Sequence, residues 1–594
     1  MPVQPLFLLV FLGLAVWLVA PAWSSPTTTT LSGGGGDPAI FLWFLRWVPF
    51  ALEHGHDLLV AHHLNYPDGV SLMWNTSVFL PGLLLAPLTA RFGPVLTFNV
   101  LLVLAHGLSA WCAYLAIRRF VPGHLAAAAG GLVYGFSPAM RTQSNHLHMT
   151  LAFLVPLMLL ALHEILVRQR RSPWLAGAVL GVLAGCQLLI GEEMLAITGL
   201  VGFAMFLLLV LGNLRRLRGR IVHALVAFVA ASVVFAVIAA WPLSVQFTGA
   251  QRVHGDIQKS NRWSDAYGFV VPGEHQALTT DASVKRVREL GGNSVYLGAP
   301  LLLVLVALGV RRRSDAVVRV GLALLLLTAV LSLGPRLLVG GRETGVRPPM
   351  AYLERLPLLD SLIPSRFAQL TALFAGLLLA VFLYGVWGRG GWWRLAAGVV
   401  GLAVLAPLWP DHSPGARTVA TPPFFTSASV RELPRDGVTL VLPWPYRRIA
   451  MHDLAGRGRP VVPHARRLHH HPDAGRPAAL RHQPEFRVDD VHRDLRRQAA
   501  ATHQAMAAGA RPRLRPLAGR QRGRRPDAEP GGHGSLPDRP ARRAAGGGRR
   551  RLPLARSEGG PGRPDERART SSGRPPGSGD PGSTPRAPGP RPAP

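Results

Sequence analysis

Long apolar runs alternate with short arginine clusters over the first two thirds of the chain. A helix needs about 20 apolar residues to cross the hydrocarbon core of a bilayer, because lipid offers no partners to backbone polar groups. The pattern predicts an all-α polytopic membrane protein with about eleven transmembrane helices. We place these spans at Leu6–Ala22, Val95–Ile117, Leu125–Phe136, Thr150–Val167, Trp174–Ile190, Met194–Gly212, Ile221–Val245, Val295–Val310, Val320–Gly334, Phe367–Trp387 and Leu395–Trp409.

The arginine clusters between the runs predict the orientation of the chain. Cytoplasmic loops of membrane proteins carry an excess of Lys and Arg. If the N-terminus is cytoplasmic, the inner loops contain Arg118, Arg119, Arg168, Arg170, Arg171, Arg215, Arg216, Arg218, Arg220, Arg311, Arg312, Arg313, Arg319, Arg389 and Arg394. We therefore expect a multi-pass protein of the plasma membrane whose long loops and active face are extracytoplasmic.

Two apolar stretches need separate treatment. Val78–Ala90 is short and contains Pro81 and Pro87, and counting it as a span would invert every later loop. We interpret it as a helix at the outer face. Leu6–Ala22 also fits a signal peptide, but no positive charge precedes it, so an uncleaved first span is favoured.

The composition changes abruptly near Ala455. The chain is 49% hydrophobic and has a formal charge of +32, and residues 456–594 contain 30 Arg, 12 Asp or Glu, and no Lys, Ile, Tyr, Trp, Asn or Cys. Such a segment cannot bury a core, so we expect a disordered basic tail. A shifted reading frame in GC-rich DNA yields this composition and is our preferred interpretation, in which case this copy is incomplete and inactive. Binding to anionic lipid or to a cell-wall polymer is an alternative.

The same boundaries define the predicted domains. Residues 1–410 form a membrane domain whose first outer loop spans 23–94. Residues 411–455 begin a small extracytoplasmic α/β segment, because 438–443 has the pattern of a buried strand. The tail lacks aromatic residues interleaved with its arginines and would face outward, so nucleic acid is not expected as a partner.

Chemically useful side chains cluster in the outer loops and turns. Ionisable groups at a membrane boundary are costly to desolvate and are functional candidates, although each also fits a solvated or anchoring role. Aromatic rings beside Arg46 suit the depth of the lipid headgroups. The candidates are Asp37, Trp43, Arg46, Trp47, Arg141, His146, His148, Glu192, Glu193 and Arg366.

Three segments resemble a known family. An acidic residue soon after the first span, followed by interfacial helices, is the plan of GT-C glycosyltransferases, which use polyprenyl-phosphate sugars. Segments 36–38 and 41–44 are similar to the first loop of large actinobacterial membrane proteins of this type. Residues 67–77 and the stretch from Leu356 to Phe367 are similar to further parts of the pattern. The resemblance covers 6–453, but Asp37 stands alone where many such loops carry two acidic residues.

The resemblance implies a membrane glycosyltransferase, acting on lipid-linked hexose or pentose with inversion at the anomeric carbon. Asp37 would be the catalytic base, and Arg366 and then Arg141 would bind the donor phosphate. A divalent metal, Mg or Mn, would be held by His146, His148, Glu192 and Glu193. Trp43, Arg46 and Trp47 would contact the interface or substrate. The acceptor would be an extracytoplasmic glycan, lipid or protein, and membrane lipid a further partner.

Two other function classes stay open at this point. A transporter or flippase for lipid or polysaccharide should place ionisable groups at mid-span and show internal repeats. His106 and the His163-Glu164 pair are the few such groups within or near spans, and no convincing repeat is present. A non-catalytic membrane assembly protein is the third class.

Overall fold

The computed structural model describes residues 3–31, 36–65, 69–212, 220–249, 263–289, 295–356, 359–411, 416–419 and 423–433. The predicted strand at 438–443 and the predicted tail at 456–594 lie outside these residues. The described helices are α1 Val3–Leu18, α2 Asp37–His54, α3 Phe79–Leu84, α4 Ala86–Phe92, α5 Pro94–Ile117, α6 His124–Gly135, α7 Pro138–Thr142, α8 Leu147–Thr150, α9 Leu154–His163, α10 Pro173–Ile190, α11 Glu192–Gly212, α12 Ile221–Thr248, α13 Asp281–Glu289, α14 Ala299–Arg311, α15 Ala316–Ser332, α16 Met350–Leu353, α17 Ala368–Trp387, α18 Trp392–Leu408 and α19 Pro423–Thr426.

Within the ranges given above, six helical segments are long and apolar enough to cross a membrane, so the chain is a membrane protein. They are Pro94–Ile117, Leu147–Arg168, Pro173–Ile190, Glu192–Val210, Ile221–Thr248 and Pro364–Trp387. The other five predicted spans are also helices, but each has fewer than 18 residues. The shortest, α6, has 12 residues and rises about 18 Å, against about 30 Å for the bilayer core. Eleven crossings therefore stay a prediction.

The surface of the helical bundle carries large apolar side chains. Along α12, Val222, Val229, Val233 and Val237 are more than half exposed. A row of this kind at the helical repeat is unfavourable in water and is expected where a helix faces lipid. The core lies instead around α5 and α17. In each of these two segments, 72% of the most apolar stretch is buried inside the protein.

Small residues let pairs of helices approach closely. A Cβ on Gly177 of α10 would lie 2.0 Å from the Ala227 carbonyl oxygen of α12, and Gly181 repeats the contact one turn later. Between α6 and α17, a Cβ on Gly376 would lie 2.3 Å from the Gly130 carbonyl oxygen. Backbone contact of this kind is the usual way in which helices associate inside a membrane.

The segment Val78–Ala90 is broken in the structure, as its prolines predict. The helices α3 and α4 meet at Leu85, and both pack against α2. Val78 is the N-cap of α3 and has φ 48°, which is strained for a β-branched residue. The stretch is therefore two short helices that support α2.

The six described strands are only two residues long and form three antiparallel pairs. The strand β2 Val60–Ala61 pairs with β3 Val70–Ser71, and β4 Leu338–Val339 pairs with β5 Arg342–Glu343. The strand β1 Thr29–Thr30 pairs with β6 Arg417–Thr418. This last pair ties the chain after α18 to the segment that precedes α2.

Candidate functional site

The first residue of α2 is Asp37, and the local sequence explains why the helix begins there. Gly36 is the N-cap with φ 71°, a left-handed conformation that favours glycine. Pro38 suits the first turn of a helix because its missing N–H would have no partner there. A carboxylate at a helix N-terminus is stabilised by the helix dipole. The Asp37 side chain is 51% exposed, so solvent can reach it.

Asp37 contacts a histidine from a distant part of the chain. His146 Nε2 lies 2.9 Å from Asp37 Oδ2, so Nε2–H donates to the carboxylate. His146 is the N-cap of the short helix α8, and its Nδ1 is buried without a partner. The pair joins the start of α2 to the turn between α7 and α8.

His148 lies next to this pair and is buried. Its ring is 5.4 Å from the ring of Phe41 on α2 and 6.3 Å from that of His146. The α10–α11 turn packs against it, because a Cβ on Gly191 would lie 3.1 Å from both the Cβ and the carbonyl oxygen of His148. A glycine at 191 therefore allows the next two residues, Glu192 and Glu193, to approach the histidines.

Glu193 pairs with Arg366 across the site. Glu193 Oε2 accepts a hydrogen bond from Arg366 Nη1, and Oε1 accepts one from the Ile363 N–H at 2.9 Å. The two side chains are 18% and 7% exposed, so the pair is largely shielded from water. The Asp37 carboxylate also lies within electrostatic reach of Arg366. One arginine thus faces two carboxylates.

Glu192 points in another direction and is held by a second network. Gln246 Nε2 donates to Glu192 Oε2 at 3.0 Å, and Trp74 Nε1 donates to the Gln246 carbonyl at 2.8 Å. The other carboxylate oxygen of Glu192, Oε1, is buried without a partner. The network links the segment between β3 and α3, the start of α11 and the end of α12.

Arg141 is also buried, and it contacts a different part of the chain. Its Nη2 donates to the Asp411 carbonyl at 3.3 Å. Burial lowers the pKa of Arg141 to about 10, while the nearby Asp411 carboxylate raises it. His275 is adjacent, and burial together with the Arg141 charge lowers its pKa to about 4. Arg141 is therefore engaged with the segment between α12 and α13 and with the chain after α18.

The aromatic segment of α2 packs inward, which differs from the prediction that its rings lie among lipid headgroups. Trp43 and Trp47 are 7% and 2% exposed, and their rings stack 5.5 Å apart. Trp47 Nε1 donates to the Asp57 carbonyl at 3.2 Å, so its polar group is satisfied inside the protein. The α3–α4 pair covers this face of α2. Arg46, on the same helix, is half-buried.

The four side chains proposed as metal ligands do not converge. In the part of the chain that the structure describes, no group of three or more His, Cys, Asp or Glu side chains could hold a metal ion. His146 is directed to Asp37, and the two glutamates are directed to Gln246 and Arg366. This donor set does not fit a resident metal in the arrangement described, and we derive no step through one.

An apolar cavity of about 500 Å³ begins one helical turn from Glu193. Leu195 and Thr198 of α11 line its near end, and Phe203 and Phe206 line its far end. Its other walls come from α9, α10 and α12. The cavity and the polar cluster share the helix α11, whose first residues belong to the cluster and whose following turns line the cavity.

Sequence reasoning selected most of this cluster but missed its supporting residues. Gln246, Ile363, His275 and Asp411 hold or flank the candidate side chains, and none of them was a candidate. Gln246 could have been noticed as an amide at the end of an apolar run. A backbone N–H such as that of Ile363 leaves no sequence signal.

The fold and site define a polytopic helical membrane protein with a polar cluster at the ends of its helices. The chain belongs to the family described as Domain of unknown function (DUF6311), whose family model matches residues 8–406. That range contains every candidate residue. A comparison with curated proteins finds no match. Among solved structures, the chain is similar to the apo oligosaccharyltransferase of Archaeoglobus fulgidus, with 13% identity and a TM-score of 0.38, over 68% of this chain and 55% of that one. The match thus spans about half of that protein.

Proposed function

We propose that this chain is a membrane glycosyltransferase that moves a sugar from a polyprenyl-phosphate donor to an extracytoplasmic acceptor. One observation carries the proposal. Asp37, His146, Glu193 and Arg366 come from four separate segments, yet they form one polar cluster at the start of α11, and the following turns of α11 line an apolar cavity. This reaction needs a general base, a group that binds phosphate and a compartment for a lipid tail.

Asp37 is the proposed base. The acceptor hydroxyl attacks the anomeric carbon from the face opposite the phosphate, and the Asp37 carboxylate takes the hydroxyl proton as the C–O bond forms. The exposed half of the side chain admits the acceptor. His146 donates to one carboxylate oxygen, which orients the other oxygen towards the acceptor. Inversion at the anomeric carbon follows from this single displacement.

Arg366 is the proposed ligand of the donor phosphate. As the bond to the sugar breaks, negative charge develops on the polyprenyl phosphate, and a guanidinium can stabilise it with two hydrogen bonds. Glu193 occupies Arg366 in the structure described, so the phosphate must displace this carboxylate or bind beside it. Arg141 is the second candidate for phosphate binding, and in that role it would be released from the Asp411 carbonyl. Trp43, Arg46 and Trp47 then act as a wall of the site rather than as direct ligands.

The polyprenyl tail is assigned to the cavity below Glu193. Its walls are almost entirely apolar, and burying apolar surface there stabilises a lipid by about 25 cal/mol per Å². The phosphate then lies at the ends of α11 and α17, next to Arg366. Mg or Mn dependence stays a prediction, which chelation with EDTA and metal addition would test.

A transfer assay on membranes tests the proposal directly. Membranes containing the full chain are supplied with a panel of polyprenyl-phosphate sugars, comparing the native protein with Asp37→Asn. A general base contributes about 10²- to 10⁴-fold, so we expect at least a hundredfold loss. Glu53→Gln removes an exposed carboxylate from the same helix and should leave transfer unchanged. Full activity in Asp37→Asn at native expression would remove Asp37 from the mechanism.

The proposal also assigns the cluster to the outer face of the plasma membrane, where the acceptor is a glycan, a lipid or a protein. A membrane-impermeant thiol reagent applied to intact cells should label Glu53→Cys and spare Arg313→Cys. The native Cys112 is buried and Cys186 is half-buried, so the unmodified chain gives the background. Labelling of position 313 instead of 53 would reverse the sidedness.

A further inference from the structure

A second apolar cavity lies farther along the same helices, away from the Asp37–Arg366 cluster. It has a volume of about 380 Å³, and its walls come from α5, α9, α11, α15 and α17. Met205 on its wall is 13 residues beyond Glu192, which corresponds to about 20 Å along α11. Of its described lining residues, His163 alone carries a polar side chain. A volume of this size is typical of a ligand pocket, and the walls require an apolar ligand.

Arginines flank the wall of this cavity. Arg119 adjoins Phe120 and Arg168 adjoins Val167, and Phe120 and Val167 both line the cavity. Both arginines act electrostatically on Glu164, with Arg168 Nε 3.8 Å from its Oε2. The other Glu164 oxygen accepts N–H groups of the next loop. Two guanidinium groups and one carboxylate leave the mouth of the cavity with a net positive charge.

The helix that begins with α9 is distorted beside these arginines. Residues Glu164–Arg168 form a π-helix, a wide turn that is rare and is often found at functional sites. Gln169 follows with φ 50°, and its Nε2 donates to the Ile165 and Arg220 carbonyls at 3.0 Å, which holds the distortion in place. His163 packs edge-on against Phe120 and has a buried Nδ1 without a partner. A polar atom thus lies on the wall near the arginines.

We propose that this cavity binds an anionic phospholipid of the adjacent leaflet. One acyl chain fills the cavity, and the phosphate lies between Arg119 and Arg168, with His163 Nδ1 available to the glycerol ester region. Arginine grips phosphate through its planar fork, and basic residues at a membrane surface attract anionic lipids. The proposal does not depend on sugar transfer, because this cavity and the one below Glu193 share only Leu159 among their described lining residues.

Native mass spectrometry of the purified full chain tests the charged half of the site. We expect one phosphatidylglycerol to be retained in preference to phosphatidylcholine. Each basic residue near the membrane surface contributes about 1 kcal/mol, so Arg119→Ala with Arg168→Ala should weaken retention at least tenfold. Arg311→Ala with Arg313→Ala removes the same charge from exposed positions at the end of α14 and should retain the lipid.

A cavity-filling variant tests the apolar half. Val317→Trp fills the cavity and leaves both arginines, so retention should fall while size-exclusion and thermal-unfolding profiles confirm folding. Val306→Trp places the same ring on an exposed face of α14 and is the matched control. Native-like retention of phosphatidylglycerol in either cavity variant would overturn the proposal. Equal retention of phosphatidylcholine would do so as well, and so would one-for-one displacement by polyprenyl phosphate.

Discussion

The buried pair between Glu193 and Arg366 makes a quantitative prediction. Glu193→Gln keeps an oxygen for the Ile363 N–H but removes the charge that faces Arg366. Leaving one member of a buried pair uncompensated costs about 3–5 kcal/mol. Glu193 retains some exposure and Asp37 lies nearby, so we expect the lower end, about 3 kcal/mol. Glu193→Ala also leaves the Ile363 N–H unsatisfied and should cost about 1 kcal/mol more.

A double-mutant cycle distinguishes the interaction energy of the Glu193–Arg366 pair from general destabilisation of the fold. The free energy of unfolding is measured by SDS titration for Glu193→Gln, Arg366→Gln and the double variant. If the two side chains stabilise each other, the double variant loses less than the sum of the single variants by about 2 kcal/mol. Glu354→Gln removes an exposed carboxylate just after α16 and should leave the free energy unchanged. Additive losses, or a loss below 0.5 kcal/mol for Glu193→Gln, would refute this reasoning.

Two further predictions concern packing and pH. Gly376→Ala places a methyl group against the Gly130 carbonyl and should destabilise the fold by about 1–3 kcal/mol in the same titration, whereas Gly398→Ala, with open space around it, should not destabilise it, because alanine favours a helix more than glycine does. The pKa of His275 is about 4 in the fold and about 6.5 when unfolded. The unfolded chain therefore binds a proton that the folded chain does not, and stability falls as pH drops from 6.5 towards 4, by about 2 kcal/mol at pH 5. His275→Gln should flatten this part of the stability curve, and an unchanged slope would contradict the assignment.

The helical architecture was predictable because lipid imposes a simple rule on the sequence. All eleven predicted spans contain helices, since a run such as Val95–Ile117 can satisfy its backbone only within itself. The ends of the helices were less predictable. The predicted span Val295–Val310 becomes helical only at Ala299, because Gly298 is the N-cap with φ 78° and Pro300 follows in the first turn. A hydropathy pattern reports apolarity and does not report where a cap ends a helix.

The candidate cluster was predictable in membership but not in pairing. We chose Asp37, His146, Glu193 and Arg366 because they lie in predicted outer loops and turns. The structure brings these four side chains together. Their partners depend on tertiary packing: the small residue Gly191 sets how closely α11 approaches His148. The inward orientation of Trp43 and Trp47 was missed for the same reason, because an aromatic helix has the same composition whether protein or lipid covers it. Their catalytic and binding roles stay predictions.

The strand pair β1–β6 sets a practical limit on any shortened version of the molecule. The Val419 N–H donates to the Thr28 carbonyl at 2.8 Å, and on the other side Asn99 Nδ2 donates to the Thr29 carbonyl at 2.8 Å. A fragment that stops with the last long helix would strip one edge from this buried threonine segment, just upstream of Gly36 and Asp37. Truncated chains designed to isolate the helical part should therefore run through residue 419.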